Sequence, residues 1–158
     1  MVDNRGQREG DGRPQALPPV AIKSFYADGE KNPKPDLFSD TASKIADTFF
    51  IKESKIAVSN TQLRRLFDEV KRFDRLIDAV PEQWAAQLPY IKMIKSKINY
   101  AVARAIRTNR SEEGVYKNLA DFITRGIDLV KEAKDYHVFV ALFEAVYGFY
   151  YAKNPKRD

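Results

Sequence analysis

The sequence predicts an all-α protein, a compact bundle of about five helices behind a flexible N-terminal tail. Three observations carry that expectation. From Ser39 onward, apolar residues recur at three- and four-residue spacing. Helix-start residues stand just ahead of those runs, and no alternating strand pattern or internal repeat competes with them. The length of 158 residues suits one domain with a real core.

Residues 1–38 hold four of the seven glycines and five of the eight prolines, without an apolar period, and read as the flexible tail. Within them, Val20–Tyr26 and Leu37–Phe38 are apolar enough to dock on a neighbour. Residues 39–158 form the helical bundle domain. Ser39 is placed to cap a helix whose stripe is Ala42, Ile45, Ala46, Phe49 and Phe50. Ser59 with Gln62 three residues on is a capping-box signature. The helix behind it buries Leu63, Leu66, Phe67, Val70, Phe73 and Ile77. Pro81 opens a short turn or helix around Trp84, and Pro89 suits the first turn of a third long helix. That helix's stripe is Ile91, Ile94, Ile98, Ala101, Val102 and Ala105. Ser111-Glu112-Glu113 starts a fourth helix, with acids where the helix dipole favours them, and its stripe is Val115, Leu119, Phe122, Ile123 and Val130. Asp135 can cap a last helix, Val138 to Ala152, apolar nearly all round and therefore central, which Asn154-Pro155 ends.

Composition narrows the function. With no cysteine, no disulfide, Cys-based zinc site or thiol nucleophile can form. That absence fits a reducing cytosol, and a cytoplasmic location is expected. No signal-peptide pattern opens the chain, and the most apolar stretch is shorter than the ~20 residues a membrane span needs, so no membrane partner is expected. The single histidine, His137, lies in the first turn of the last helix, where a structural or exposed role is the ordinary one. No Gly-rich phosphate loop and no paired Glu-x-x-His motif occurs. Most carboxylates lie within helical reach of a base: Asp68 with Arg64 and Arg72, Glu69 with Arg65, Asp128 with Lys131. The expectation is a non-enzyme, with no catalytic residue, metal or cofactor.

The net charge of +5 is concentrated. Residues 62–110 hold eleven basic against five acidic side chains, a net of +6, while residues 1–38 sum to zero. On the second helix Arg64, Lys71 and Arg75 form one polar line and Arg65 with Arg72 another. That face is either solvated surface neutralised by Asp68 and Glu69 or a face for an anion. Between Glu82 and Glu112 there is no acidic residue, yet Lys92, Lys95, Lys97, Arg104, Arg107 and Arg110 occur there. Such a run gains most from an anionic partner. Lys97 and Arg104 share an outer face with Met93 and Tyr100; Lys92, Ser96 and Asn99 occupy another. Tyr100 either stacks on RNA or packs on a neighbouring helix. No ribonucleoprotein aromatic motif, GXXG clamp or zinc finger accompanies these bases, so backbone contact without sequence readout fits best. A helix-turn-helix is disfavoured because Ile77 to Pro89 exceeds the usual turn of about 3–4 residues.

The stretches "TQLRRLFDEVKRF" (Thr61 to Phe73), "IKSKINYAVARA" (Ile94 to Ala105) and "FEAVYGFYYAKNPK" (Phe143 to Lys156), in that order and spacing, carry a resemblance. Over roughly Ser39 to Lys156 the chain resembles the small helical subunit of type III-A CRISPR effector complexes, the Csm complexes. Ala103 stands where that family's middle motif would have a glycine. The resemblance implies a non-catalytic subunit of an antiviral ribonucleoprotein. Its partners would be guide RNA and target RNA, the other Csm subunits, and copies of itself stacked along the complex. Base pairing would then carry specificity while the protein holds the duplex by shape and charge. RNA-backbone contact falls to Arg64 and Arg65 of the first motif and to Lys95, Lys97 and Arg104 of the second; Lys92 joins these candidates. The alternative is a free-standing nucleic-acid-binding helical regulator.

Overall fold

The described residues of the computed structural model, 14–27 and 31–153, fold around five α-helices. These are α1 (Ala42–Asp47), α2 (Asn60–Ala79), α3 (Trp84–Thr108), α4 (Glu113–Asp128) and α5 (Ala133–Lys153). Among the described residues β-pairing is limited to two isolated bridges, Tyr26 with Pro33 and Phe50 with Ala57. The expectations for residues 1–13 and for a helix stop at Asn154-Pro155 lie outside the described residues.

The first helix begins earlier than its expected Ser39 cap. Leu37–Thr41 winds as a short π-helix into α1, with the Thr41 N–H donating to the Asp36 carbonyl at 3.1 Å. Leu37 is buried and draws the winding back to itself. Ser39 lies inside that turn, its hydroxyl donating to Asp36 O at 3.4 Å. Both dockable pieces of the N-terminal region do dock. Ile22, Phe25 and Leu37 all join the core. The buried Asn118 amide donates to Leu17 O (2.8 Å) and Thr48 O (2.9 Å), tying this arm to α4 and to the end of α1.

The Ser59 cap forms as expected, accepting from Gln62 N–H at 3.4 Å. The other half of the box is different. The Tyr116 hydroxyl enters it, accepting from Ser59 N–H (3.1 Å) and donating to Gln62 Oε1 (2.7 Å). The start of α2 is therefore fixed by α4 as well as by its own residues.

The link between α2 and α3 is only Val80–Gln83, wound as a 3₁₀ turn over Pro81–Gln83, because α3 starts at Trp84. Pro89 therefore sits inside α3 and removes one helix hydrogen bond, rather than opening the helix. The long connection expected between these helices is absent. The two nevertheless form an antiparallel hairpin, with the beginning of α2 beside the end of α3. In α3, Ile91, Ile94, Ile98 and Val102 are buried, whereas Ala101, expected in the stripe, is exposed.

α5 supplies the centre. Its Tyr136, Phe139, Val140, Leu142, Phe143, Val146 and Tyr150 are buried. Tyr136 donates to Val70 O of α2 at 2.6 Å, and Tyr150 donates to Val58 O just ahead of α2. α5 begins at Ala133 rather than at the expected Val138, so Asp135 lies inside its first turn and reaches back to accept from the N–H groups of Lys131 (3.0 Å) and Glu132 (2.9 Å). Tyr26 of the arm donates to its other oxygen at 2.8 Å. Burial alone would raise the Asp135 pKa, but these donors outweigh it and hold the carboxyl below its ordinary value. Burial and the same contact push the Tyr26 hydroxyl up to about 12.

Candidate nucleic-acid interface

The beginning of α2 and the end of α3, with Tyr116 and Leu119 of α4, line a groove of about 570 Å³. Ile98, Val102 and Leu119 form its floor, and Leu66, Ala101 and Ala105 its apolar walls. Arg65 comes from the α2 side, and Lys97, Tyr100 and Arg104 from the α3 side. One face of the hairpin thus gathers three of the six candidate bases with the exposed tyrosine.

Tyr100 is 66% exposed, which removes the reading that it packs on a neighbouring helix. Arg104 lies over its ring, 5.9 Å from the centroid, at the range of a cation–π contact. Lys97 crosses the groove to Glu69 of α2. Glu69 therefore pairs with Lys97 rather than with Arg65 as its helical spacing suggested. Arg65 and Arg104, together with Arg107 one turn further on, make no ion pair among the described residues.

The other three candidates lie elsewhere. Arg64 is 74% exposed and faces Asp68 at 3.9 Å, the i,i+4 neighbour expected for it. Lys95 pairs with Asp128 of α4 at 2.5 Å, so Asp128 serves α3 rather than Lys131. Lys92 turns inward, its ammonium donating to Ile127 O (2.8 Å) and Val130 O (2.9 Å) at the end of α4. Burial lowers its pKa, and nearby Asp128 opposes that shift. The end of a helix is where a cation is best placed, so Lys92 acts as a cap. The run without acids in α3 is thus less unpaired than its sequence suggested, because acids and carbonyls of α2 and α4 answer its three lysines.

Sequence reasoning passed over Glu69, Gln62 and Tyr116 as groove residues. Glu69 has Arg65 within helical reach but meets Lys97 across 28 positions, and the Tyr116 contact spans 57 positions to Ser59. No local spacing encodes either placement. It also passed over a convergence of metal-ligand types, for Asp74, Asp78 and His137 bring their ligand atoms within 4.8 Å of one another. His137 Nδ1 faces the buried Asp74 at 3.2 Å. Burial raises the Asp74 pKa, and the His137 contact opposes the shift.

Among the described residues no helix is long and apolar enough to cross a membrane. Compared with known families, residues 32–156 match the one described as Csm2 Type III-A. Neither a curated protein nor a solved structure matches the chain. The match begins before the three stretches noted in the sequence, takes in the buried Leu37, and runs through all five helices. The chain belongs to the Csm2 Type III-A family, the small non-catalytic structural subunit of the type III-A Csm complex.

Proposed function

We propose that this chain serves the type III-A complex by holding the sugar–phosphate backbone of the guide–target RNA, without reading its sequence. The observation that carries this reading is the α2–α3 groove, which gathers Arg65, Lys97 and Arg104 beside an exposed tyrosine. Arg65 and Arg104 make no ion pair among the described residues, which leaves both guanidinium groups for a phosphate. Arg64, exposed one position before Arg65, extends the contact along the backbone. Lys95 lies on the α4 side and supplies a weaker, second contact, while Lys92 supports the fold. Family membership implies the other Csm subunits as partners. Copies of this chain would stack along the complex so that successive grooves follow one duplex. The subunit would work in the cytoplasm, in antiviral defence, and leave cleavage to its neighbours.

The test is RNA binding by a reconstituted complex with Arg64, Arg65, Lys97 and Arg104 all changed to alanine. Target-RNA affinity should fall at least tenfold with the complex still assembled; unchanged affinity overturns the reading. For the isolated chain, three phosphate contacts predict a log–log salt slope of about −2 with single-stranded RNA. Tight, sequence-specific binding to duplex DNA would instead favour the free-standing regulator.

A further inference from the structure

The backbone reading leaves the shape of the groove unexplained. Phosphates need cations on a surface, not an apolar cleft of about 570 Å³ floored by Ile98, Val102 and Leu119. That volume falls in the range that holds small-molecule-sized groups, about 300–1,000 Å³. Nor do phosphates need Tyr100, which keeps a large apolar ring 66% exposed with Arg104 against it. An exposed aromatic that lines an apolar cleft rimmed by cations suits a flat, π-faced group attached to an anionic chain.

We propose that the α2–α3 groove takes one unpaired RNA base, stacked on Tyr100, while Arg65 and Arg104 hold the phosphates on either side. This rests on the RNA-binding reading above and deepens it. A base within a duplex has neighbours on both faces and cannot offer one to Tyr100, so the occupant is a base already out of the stack. The groove's hydrogen-bonding groups are largely engaged: Gln62 Oε1 accepts from Tyr116, Tyr116 accepts from Ser59, and Glu69 holds Lys97. Recognition therefore falls to the ring face, which every base possesses, and not to base edges. An apolar protein helix in the same groove would cover Arg65 and Arg104 and leave both charges unpaired.

The experiment uses the full chain and three fluorescent RNA duplexes of one length: fully paired, with one bulged nucleotide, and with one abasic bulge. The bulged duplex should bind about tenfold more tightly than the abasic one, within the range for stacking a base on an aromatic ring. Tyr100→Leu should erase that difference and Tyr100→Phe should keep it, and neither disturbs the fold at so exposed a position. Arg65→Ala with Arg104→Ala should weaken all three duplexes in parallel. Equal wild-type affinity for the bulged and abasic duplexes overturns the base site while leaving the backbone reading standing. Binding to none of the three, with binding to a polyglutamate peptide, overturns both.

Discussion

Lys92 and Arg65 are both basic residues on exposed-looking helix positions, yet their surroundings give them different work. The Lys92 ammonium donates to two carbonyls at the end of α4. Lys92→Met keeps most of the stem but leaves those carbonyls without their charged donor, which should cost about 1–3 kcal/mol. Denaturant titration measures that loss, and RNA affinity should stay within about twofold. Arg65→Ala should do the reverse, with stability unchanged and RNA binding weakened several-fold, because nothing in the fold depends on its guanidinium. Of the six bases marked in the sequence, helical spacing correctly gave Arg64 its Asp68 neighbour. It could not place Lys92, Lys95 or Lys97, whose partners lie 28 to 38 positions away on other helices. A helical wheel records only the helix it is drawn for.

At the scale of elements, the apolar stripes were the most legible part of the chain. Those of α2 and α4 are buried or half-buried throughout, because burial against neighbours follows the same 3–4 period that defines them. Helix starts were less legible. The start of α1 is set by the distant burial of Leu37, and that of α3 by a 3₁₀ turn that makes Pro89 an interior residue. One close approach of a side chain to a helix is also left unmarked by the sequence. A Cβ on Gly126 of α4 would meet the Phe139 ring of α5 at 2.2 Å. Both residues are buried, so the ring can move only by disturbing the aromatic cluster with Phe122 and Phe143. Gly126→Ala should therefore destabilise by about 1–3 kcal/mol despite its better helix propensity. Gly148→Ala, where nothing lies within 4 Å, is the matched control and should be neutral or stabilising. Equal thermal shifts for the two variants would refute the close α4–α5 approach.

For the whole molecule, the N-terminal arm decides how much of the chain is one cooperative unit. Composition marked residues 1–38 as tail, yet Ile22 and Phe25 are buried in the core and Tyr26 reaches Asp135 across 109 positions. Burying the two apolar side chains stabilises by about 3–5 kcal/mol, so deleting residues 1–26 should lower the melting temperature by roughly 10 °C. Part of the arm's hold depends on pH. Asp135 has its carboxyl held below the ordinary 3.8, so its contribution is complete above that value. It is lost as pH falls through the lower, folded value, because the unfolded chain takes up the proton first. Asp135→Ala removes the helix cap and the Tyr26 acceptor together and should cost about 1–2 kcal/mol near neutrality. The gap between the melting temperatures of wild type and variant should narrow as pH falls from 7 towards 2, once it drops below the ordinary carboxyl value. Limited proteolysis should open the arm of the variant first, at any pH where it is the less stable of the two. A constant gap between the two curves down to pH 2 would mean that Asp135 supports the fold by packing, and that its charge contributes nothing.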